Sequence, residues 1–156
     1  MTDEMKVEKA VEVYVTLCNA LERIGWSYDK NDSNLSISFE VTGEDLPMQF
    51  LIIVDVKRQL VRFFSTLPFK MKEDKLIDGA VAVCAANCGL VDGCFIYDIG
   101  DGTIAFKQTA TFLGRAIDEA LLQYVIHCAC STVDKYNDKF MALNKGFISI
   151  ADFLKE

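Results

Sequence analysis

Apolar side chains along residues 3–24 recur at spacings of three and four: Val7, Val11, Tyr14, Cys18 and Leu21, widened by Ala10, Leu17 and Ile24. That period predicts an amphipathic helix buried along these residues. Thr2 is placed to cap it, Asp3 and Glu4 suit its positive end, and Gly25 stops it. The period then changes to two. Trp26 and Tyr28 predict a short strand, and residues 29–34 a turn. Leu35, Ile37, Phe39 and Val41 alternate with Ser36, Ser38, Glu40 and Thr42, the pattern of a half-buried strand. After a turn at 43–45, residues 48–56 are almost continuously apolar and read as a central strand. Lys57, Arg58 and Gln59 form the loop of a hairpin, residues 60–65 pair back, and Pro68 marks a connection.

Residues 73–88 predict a second helix with Leu76, Ile77, Ala80, Val81, Cys84 and Cys88 as its buried stripe and Gly89 as its stop. Gly79, Ala80, Ala82, Ala85 and Ala86 make this helix rich in small residues, which permits close packing. Two strand-like runs at 93–99 and 103–112 flank Asp101 and Gly102, a strong hairpin signal. Gly114 closes the hairpin, a long helix follows at 115–141, and the tail carries one helical turn near Asp152. The order is α-β-β-β-β-α-β-β-α. The short connections within each block predict an α+β protein with a mainly antiparallel sheet. Residues 1–156 read as one domain, with a core of about 3–141 and a tail at 142–156.

Charge narrows the possible partners. Sixteen basic against 23 acidic residues leave a net charge of −7. The densest basic stretch, Lys70, Lys72 and Lys75, is interrupted by Glu73 and Asp74. Nucleic acid and anionic membranes are therefore not expected partners. The longest runs without Asp, Glu, Lys or Arg, 79–91 and 120–133, are shorter than a bilayer span needs. The charged N-terminal stretch does not resemble a secretory signal, so the expected compartment is the cytoplasm, with the six cysteines reduced and mostly in the core.

Candidate chemistry fails on particular residues. Cys84 and Cys88 share a helix face and Cys128 could join them in a metal cluster. Cys128 and Cys130, however, project in different directions, and all three of the first group lie on apolar stripes. Asp29, Asn31, Ser33 and Glu40 imitate a calcium loop, but the exit half, 35–41, has a strand period instead of a helical one. His127 is the single histidine, and no nucleophile motif accompanies it. Gly100, Asp101 and Gly102 lack the rest of a phosphate-binding loop. Asp55, Asp98 and Asp101 are acids in strand or turn settings. No catalytic residue, metal site or cofactor is expected, and an enzyme or metal-binding protein with an acidic or cysteine-lined pocket is the alternative reading.

The long third helix carries two apolar stripes. One is Ile117, Leu121, Tyr124 and Cys128. The other is Leu122, Ile126, Ala129, Val133 and Tyr136, with Phe140 beyond. If the first lies on the sheet, the second needs another neighbour: either the first helix or the C-terminal tail covers it, or it is the candidate interface of a homodimer or with a protein or peptide partner.

The order of elements, with Leu21-Glu22-Arg23-Ile24-Gly25-Trp26, Leu60-Val61-Arg62-Phe63-Phe64-Ser65, Ala86-Asn87-Cys88-Gly89 and Phe95-Ile96-Tyr97-Asp98, resembles the YbjN-like family over about residues 8–141. That family consists of candidate bacterial sensory transduction regulators. The resemblance implies a type III secretion chaperone-like fold, a bacterial and often dimeric protein, and a non-enzymatic protein- or peptide-binding role of chaperone-like or regulatory kind.

Overall fold

Helix α1 (Asp3–Ile24) begins where Thr2 Oγ1 accepts the Met5 N–H at 3.3 Å. It ends at Gly25, whose φ of +83° turns its N–H back onto the carbonyls of Leu21 and Glu22. The computed structural model describes residues 1–155; Glu156, the last residue of the expected 1–156 unit, lies outside them. The buried face of α1 is Ala10, Val13, Tyr14, Leu17, Ala20 and Leu21. Val7 and Val11, expected inside, are exposed, and Cys18 is half-buried. The helix turns its alanines inward, where they allow close contact with the sheet and the last helix.

Six strands follow: β1 (Asp29–Asn31), β2 (Ser36–Thr42), β3 (Pro47–Asp55), β4 (Leu60–Lys70), β5 (Cys94–Asp98) and β6 (Thr103–Thr111). They form one antiparallel sheet in the order β1-β2-β3-β4-β6-β5. The short first strand falls at Asp29–Asn31, later than expected, because these residues pair with Ser38, Ile37 and Ser36. Trp26 instead packs on Phe39, with ring centroids 5.6 Å apart. Strand β3 is not buried on both sides, as an unbroken apolar run suggests. Met48, Phe50, Ile52 and Val54 point inward, whereas Leu51 is exposed and Ile53 half-exposed. Strand β4 runs on through Pro68, with a register shift between Thr66 and Lys70.

A single 3-10 turn (Glu73–Lys75) leads into α2 (Leu76–Cys88), which buries Gly79, Ala82, Val83 and Ala86. The expected stripe is inverted: Ile77 is 68% exposed, Val81 41%, and Cys84 and Cys88 are exposed. Close approach explains the inversion. A Cβ on Gly79 would stand 2.8 Å from Tyr97 Oη and 2.9 Å from Met71 Cγ. The small-residue face is the one that fits against the sheet edge. The β5–β6 turn needs glycine for a similar reason. Gly102 has φ +77°, and a Cβ there would lie 2.4 Å from the Met71 carbonyl oxygen.

Helix α3 (Glu119–Lys145) lies about four residues later than the expected 115–141. Asp118 caps it by accepting the Leu121 N–H at 2.7 Å, and Gly146 ends it in the left-handed conformation. The tail turn is α4 (Ile150–Phe153), held by a reciprocal Ser149–Asp152 capping box. Helices α1 and α3 cover the inner face of the sheet, and α2 packs against its β5 edge. Phe63, Phe106, Phe112 and Phe140 are fully buried between the layers. Among the described residues no helix packs on the opposite face of the sheet, where Leu51 is exposed and Phe64 half-exposed.

Candidate functional site

Leu122, Ile126, Ala129 and Val133, the candidate interface stripe, are at most 1% exposed, and Tyr136 is half-buried against Phe95 and Phe140. They lie in the core of one chain and not on its surface. The two stripes of α3 exchange roles. The stripe through Leu122 and Ile126 fills the space under the sheet, while Leu121 and Tyr124 are 44% and 57% exposed. Continuation of the buried stripe to Phe140 and Leu143, both fully buried, is the sequence signal that distinguishes it. Tyr124 Oη donates to Asp92 at 3.0 Å, and this bond pushes its hydroxyl pKa up. A groove of about 340 Å³ runs between α3 and the loop after α2, lined by Val91, Asp92, Tyr124, Cys128 and Lys135.

Several of the other candidate residues fasten turns and hairpins of the fold. Among the described residues no group of three or more His, Cys, Asp or Glu side chains is placed to hold a metal ion. Cys130 is buried, which raises its thiol pKa to about 12. In the imitation calcium loop, Asn31 Oδ1 accepts from Ser33 N–H and Oγ, and Asp32 accepts from Tyr14 Oη at 3.0 Å. His127 is exposed, edge-on to Trp26. Asp98 accepts the Gly100 N–H, and Asp101 the Thr103 N–H with Lys70 beside it. Asp55 fastens the β3–β4 hairpin. It accepts from Arg58 N–H at 2.9 Å and from the Arg58 guanidinium at 3.1 Å, with Arg62 at 3.7 Å. The Arg58 main-chain bond leads the causes that hold its carboxyl below the ordinary range.

The outer sheet face carries an arrangement that no local pattern in the sequence signals. Asp29, Ser38, Leu51 and Phe64 form one cross-strand row, and Glu40 and Gln49 the next. Gln49 donates to Glu40 at 3.2 Å, and the Arg62 guanidinium lies 5.0 Å from the Phe64 ring. The β3–β4 ladder stops at Leu51 opposite Phe64, although β3 extends back to Pro47 and β4 on to Lys70. Continued in the same register, the two prolines of the chain would face each other, Pro47 against Pro68. Neither has an N–H to donate, so the regular bridge pairing ends before them. The strands stay side by side, and two depressions of about 510 and 240 Å³ lie on this face, both lined by Glu40, Gln49 and Thr66.

An antiparallel six-stranded sheet, with helices on one face and at one edge, defines an α+β protein. No protein-family model matches the chain, and no curated protein does. Its fold is YbjN-like. Among solved structures it is similar to the crystal structure of YbjN from E. coli, a candidate transcription regulator. The TM-score is 0.61 at 11% identity, covering 84% of this chain and 90% of that one.

Proposed function

We propose that this protein is a non-enzymatic regulatory module that works by binding protein, including a second copy of itself through the outward face of α2. The supporting observation is the inverted helix: Ile77, Val81, Cys84 and Cys88 stand in solvent, and residues 79–91 carry no charged side chain. An exposed apolar stripe of this kind marks a contact surface. For a chain of net charge −7, an uncharged face is also where two copies meet with least repulsion. Two exposed thiols suit a reducing compartment, in keeping with a cytoplasmic protein, and no described helix is long and apolar enough to cross a membrane. The likeness to YbjN, a candidate transcription regulator, agrees with a regulatory role.

Size-exclusion chromatography with light scattering tests the reading. The expected result is a dimer at micromolar concentration that becomes a folded monomer in the Ile77→Glu/Val81→Glu variant. A wild-type monomer at that concentration, or a variant that remains dimeric, refutes self-association through α2.

A further inference from the structure

We propose that the outer face of the sheet, on which no described helix packs, is a contact surface for a second copy of this chain. The two copies meet sheet to sheet, about a two-fold axis that runs along the strands between β3 and β4. The inference rests on the protein-binding reading but uses a surface that shares no residue with α2. Three observations carry it. First, the outward side chains divide by charge across the β3–β4 midline. Asp29 and Glu40 stand exposed on β1 and β2 at one side, and the half-exposed Arg62 and Lys107 on β4 and β6 at the other. Among the described residues Asp29, Glu40 and Lys107 make no ion pair, whereas Asp55 is taken up by Arg58 and Arg62 of its own chain. Asp98 and Asp101 lie at the end of this face, where they hold the β5–β6 turn.

Second, the strand register makes the face complementary to itself. One cross-strand row reads Asp29, Ser38, Leu51, Phe64, Lys107 and Cys94. Rotation about the midline lays this row on its own copy in reverse, with Leu51 over the partner's Phe64 and Ser38 over the partner's Lys107. Asp29 is one strand from Ser38, at about 4.8 Å, and Glu40 two residues along, at about 6.8 Å. The partner's Lys107 therefore enters between two carboxylates, over the depression of about 510 Å³ that Asp29, Ser38 and Glu40 help to line. Third, the centre of the face is apolar: Leu51 is 41% exposed, and Ile53 and Phe64 are half-exposed. An apolar centre with charges outside it is the arrangement of a protein interface. A partner of one sign would be repelled by half of this surface, whereas the reversed copy is matched on both halves. The four central strands over about six residues give a flat footprint of roughly 400 Å² per copy. A contact of this size belongs to the weak class, so it forms at about 100 μM and above.

Sedimentation equilibrium of the full chain from about 10 to about 500 μM is the direct test. The expected result is reversible association beyond the species made through α2. In the Ile77→Glu/Val81→Glu background the sheet contact is seen alone, as monomer to dimer, and further variants are compared there. Lys107→Glu should weaken it roughly tenfold, because the two-fold repeats each lost pair. Lys72→Glu, the same charge change on the exposed segment before α2, should leave it within about twofold. Asp29→Lys/Glu40→Lys should also weaken it roughly tenfold, although that variant carries less net negative charge and general repulsion predicts the opposite sign. Adding Lys107→Glu to Asp29→Lys/Glu40→Lys reverses both halves and should restore association to within about threefold of the parent. No association at the highest concentration, strengthening by Asp29→Lys/Glu40→Lys, equal weakening by Lys72→Glu, or no rescue by the combined reversal would each overturn the assignment. If α2-dependent dimers form and associate no further, only this inference falls. A dimer that survives Ile77→Glu/Val81→Glu but is weakened by Lys107→Glu would support this inference and remove self-association through α2.

Discussion

Asn87 is the side chain whose removal most directly tests how α2 is held against the sheet. It lies in the last turn of α2, donates from Nδ2 to the Phe95 carbonyl at 2.9 Å, and accepts the Phe95 N–H at its Oδ1 at 2.7 Å. The amide thus imitates one residue of a seventh strand and closes the β5 edge. Phe95 is 2% exposed, so its main-chain groups cannot reach water without movement. Asn87→Ala removes two hydrogen bonds, each contributing about 0.5–1.5 kcal/mol, and strands two shielded polar groups at about 1–3 kcal/mol each if nothing relaxes. Alanine returns roughly 0.5 kcal/mol of helix propensity, and partial opening of the edge to water recovers more. A net loss of about 2–3 kcal/mol is expected, or roughly 5–10 °C in melting temperature for a chain of this size. Asn87→Asp should be no better. It keeps the acceptor for Phe95 N–H but sets a carboxylate against the Phe95 carbonyl.

Urea unfolding followed by circular dichroism measures the loss, and hydrogen exchange at the Phe95 amide locates it. Phe95 should lose protection disproportionately, before the centre of β4. A variant within about 0.5 kcal/mol of wild type, the range of an ordinary surface change, with Phe95 still protected, would refute the view that this amide closes the edge.

Three further outcomes follow from the same packing. Ile126→Ala should cost about 2–5 kcal/mol in chemical denaturation, as a buried large-to-small change does, whereas Leu121→Ala should stay within about 0.5 kcal/mol; the reverse order would restore the opposite face of α3 to the core. Asp55 is held below its ordinary carboxyl value of 3.8, so its charge stabilises the fold above that value and the effect disappears as pH falls through the lower folded value. The stability gap between wild type and Asp55→Asn, from urea melts, should accordingly be widest at about pH 5 and above and narrow below about pH 4; a gap that widens with acid contradicts this. In timed alkylation read by mass spectrometry, Cys84 and Cys88 should react first in dilute protein and slow as concentration rises, with buried Cys130 slow throughout; concentration-independent rates at Cys84 and Cys88 would count against α2 as the self-association face.

Most of the element order was legible because it is local. The end of α1 at Gly25, the strict alternation of 35–42 and the Asp101-Gly102 turn each arise from neighbours in the chain, and each lies where the structure has it. Helix faces were legible in part for α1, whose Ala10, Tyr14, Leu17 and Leu21 are buried, but not for α2, whose expected single stripe is turned outward by close packing at Gly79, nor for α3, which carries more than one stripe. Helix α3 has two, and the choice between them is made by the length of the body it lies on. The stripe through Leu122, Ile126, Ala129 and Val133 continues to Phe140 and Leu143, and so spans the sheet and reaches Phe153 of α4. The polar clips were not legible at all. Asn87 to Phe95, Asn144 to the Lys70 carbonyl and the Lys72 N–H, and Asp134 to the Glu44 N–H join separate segments of the chain through ordinary residues.

Helix α2 and the outer sheet face share one physical logic. Burial selects for fit as well as for hydrophobicity: on α2, steric closeness at Gly79 puts glycine and alanine inside and leaves isoleucine and valine in water. In the sheet, Pro47 and Pro68 fall in facing positions and end a ladder that the apolar pattern alone would continue. In both places the intramolecular packing is complete without the groups that remain outside. Ile77 and Val81 on the helix, and Leu51 and Phe64 on the outer sheet face, are apolar groups that the core does not take in. Polar replacements at these positions should leave stability nearly unchanged while altering association. That separation between folding and binding is the measurable signature of a surface retained for partners.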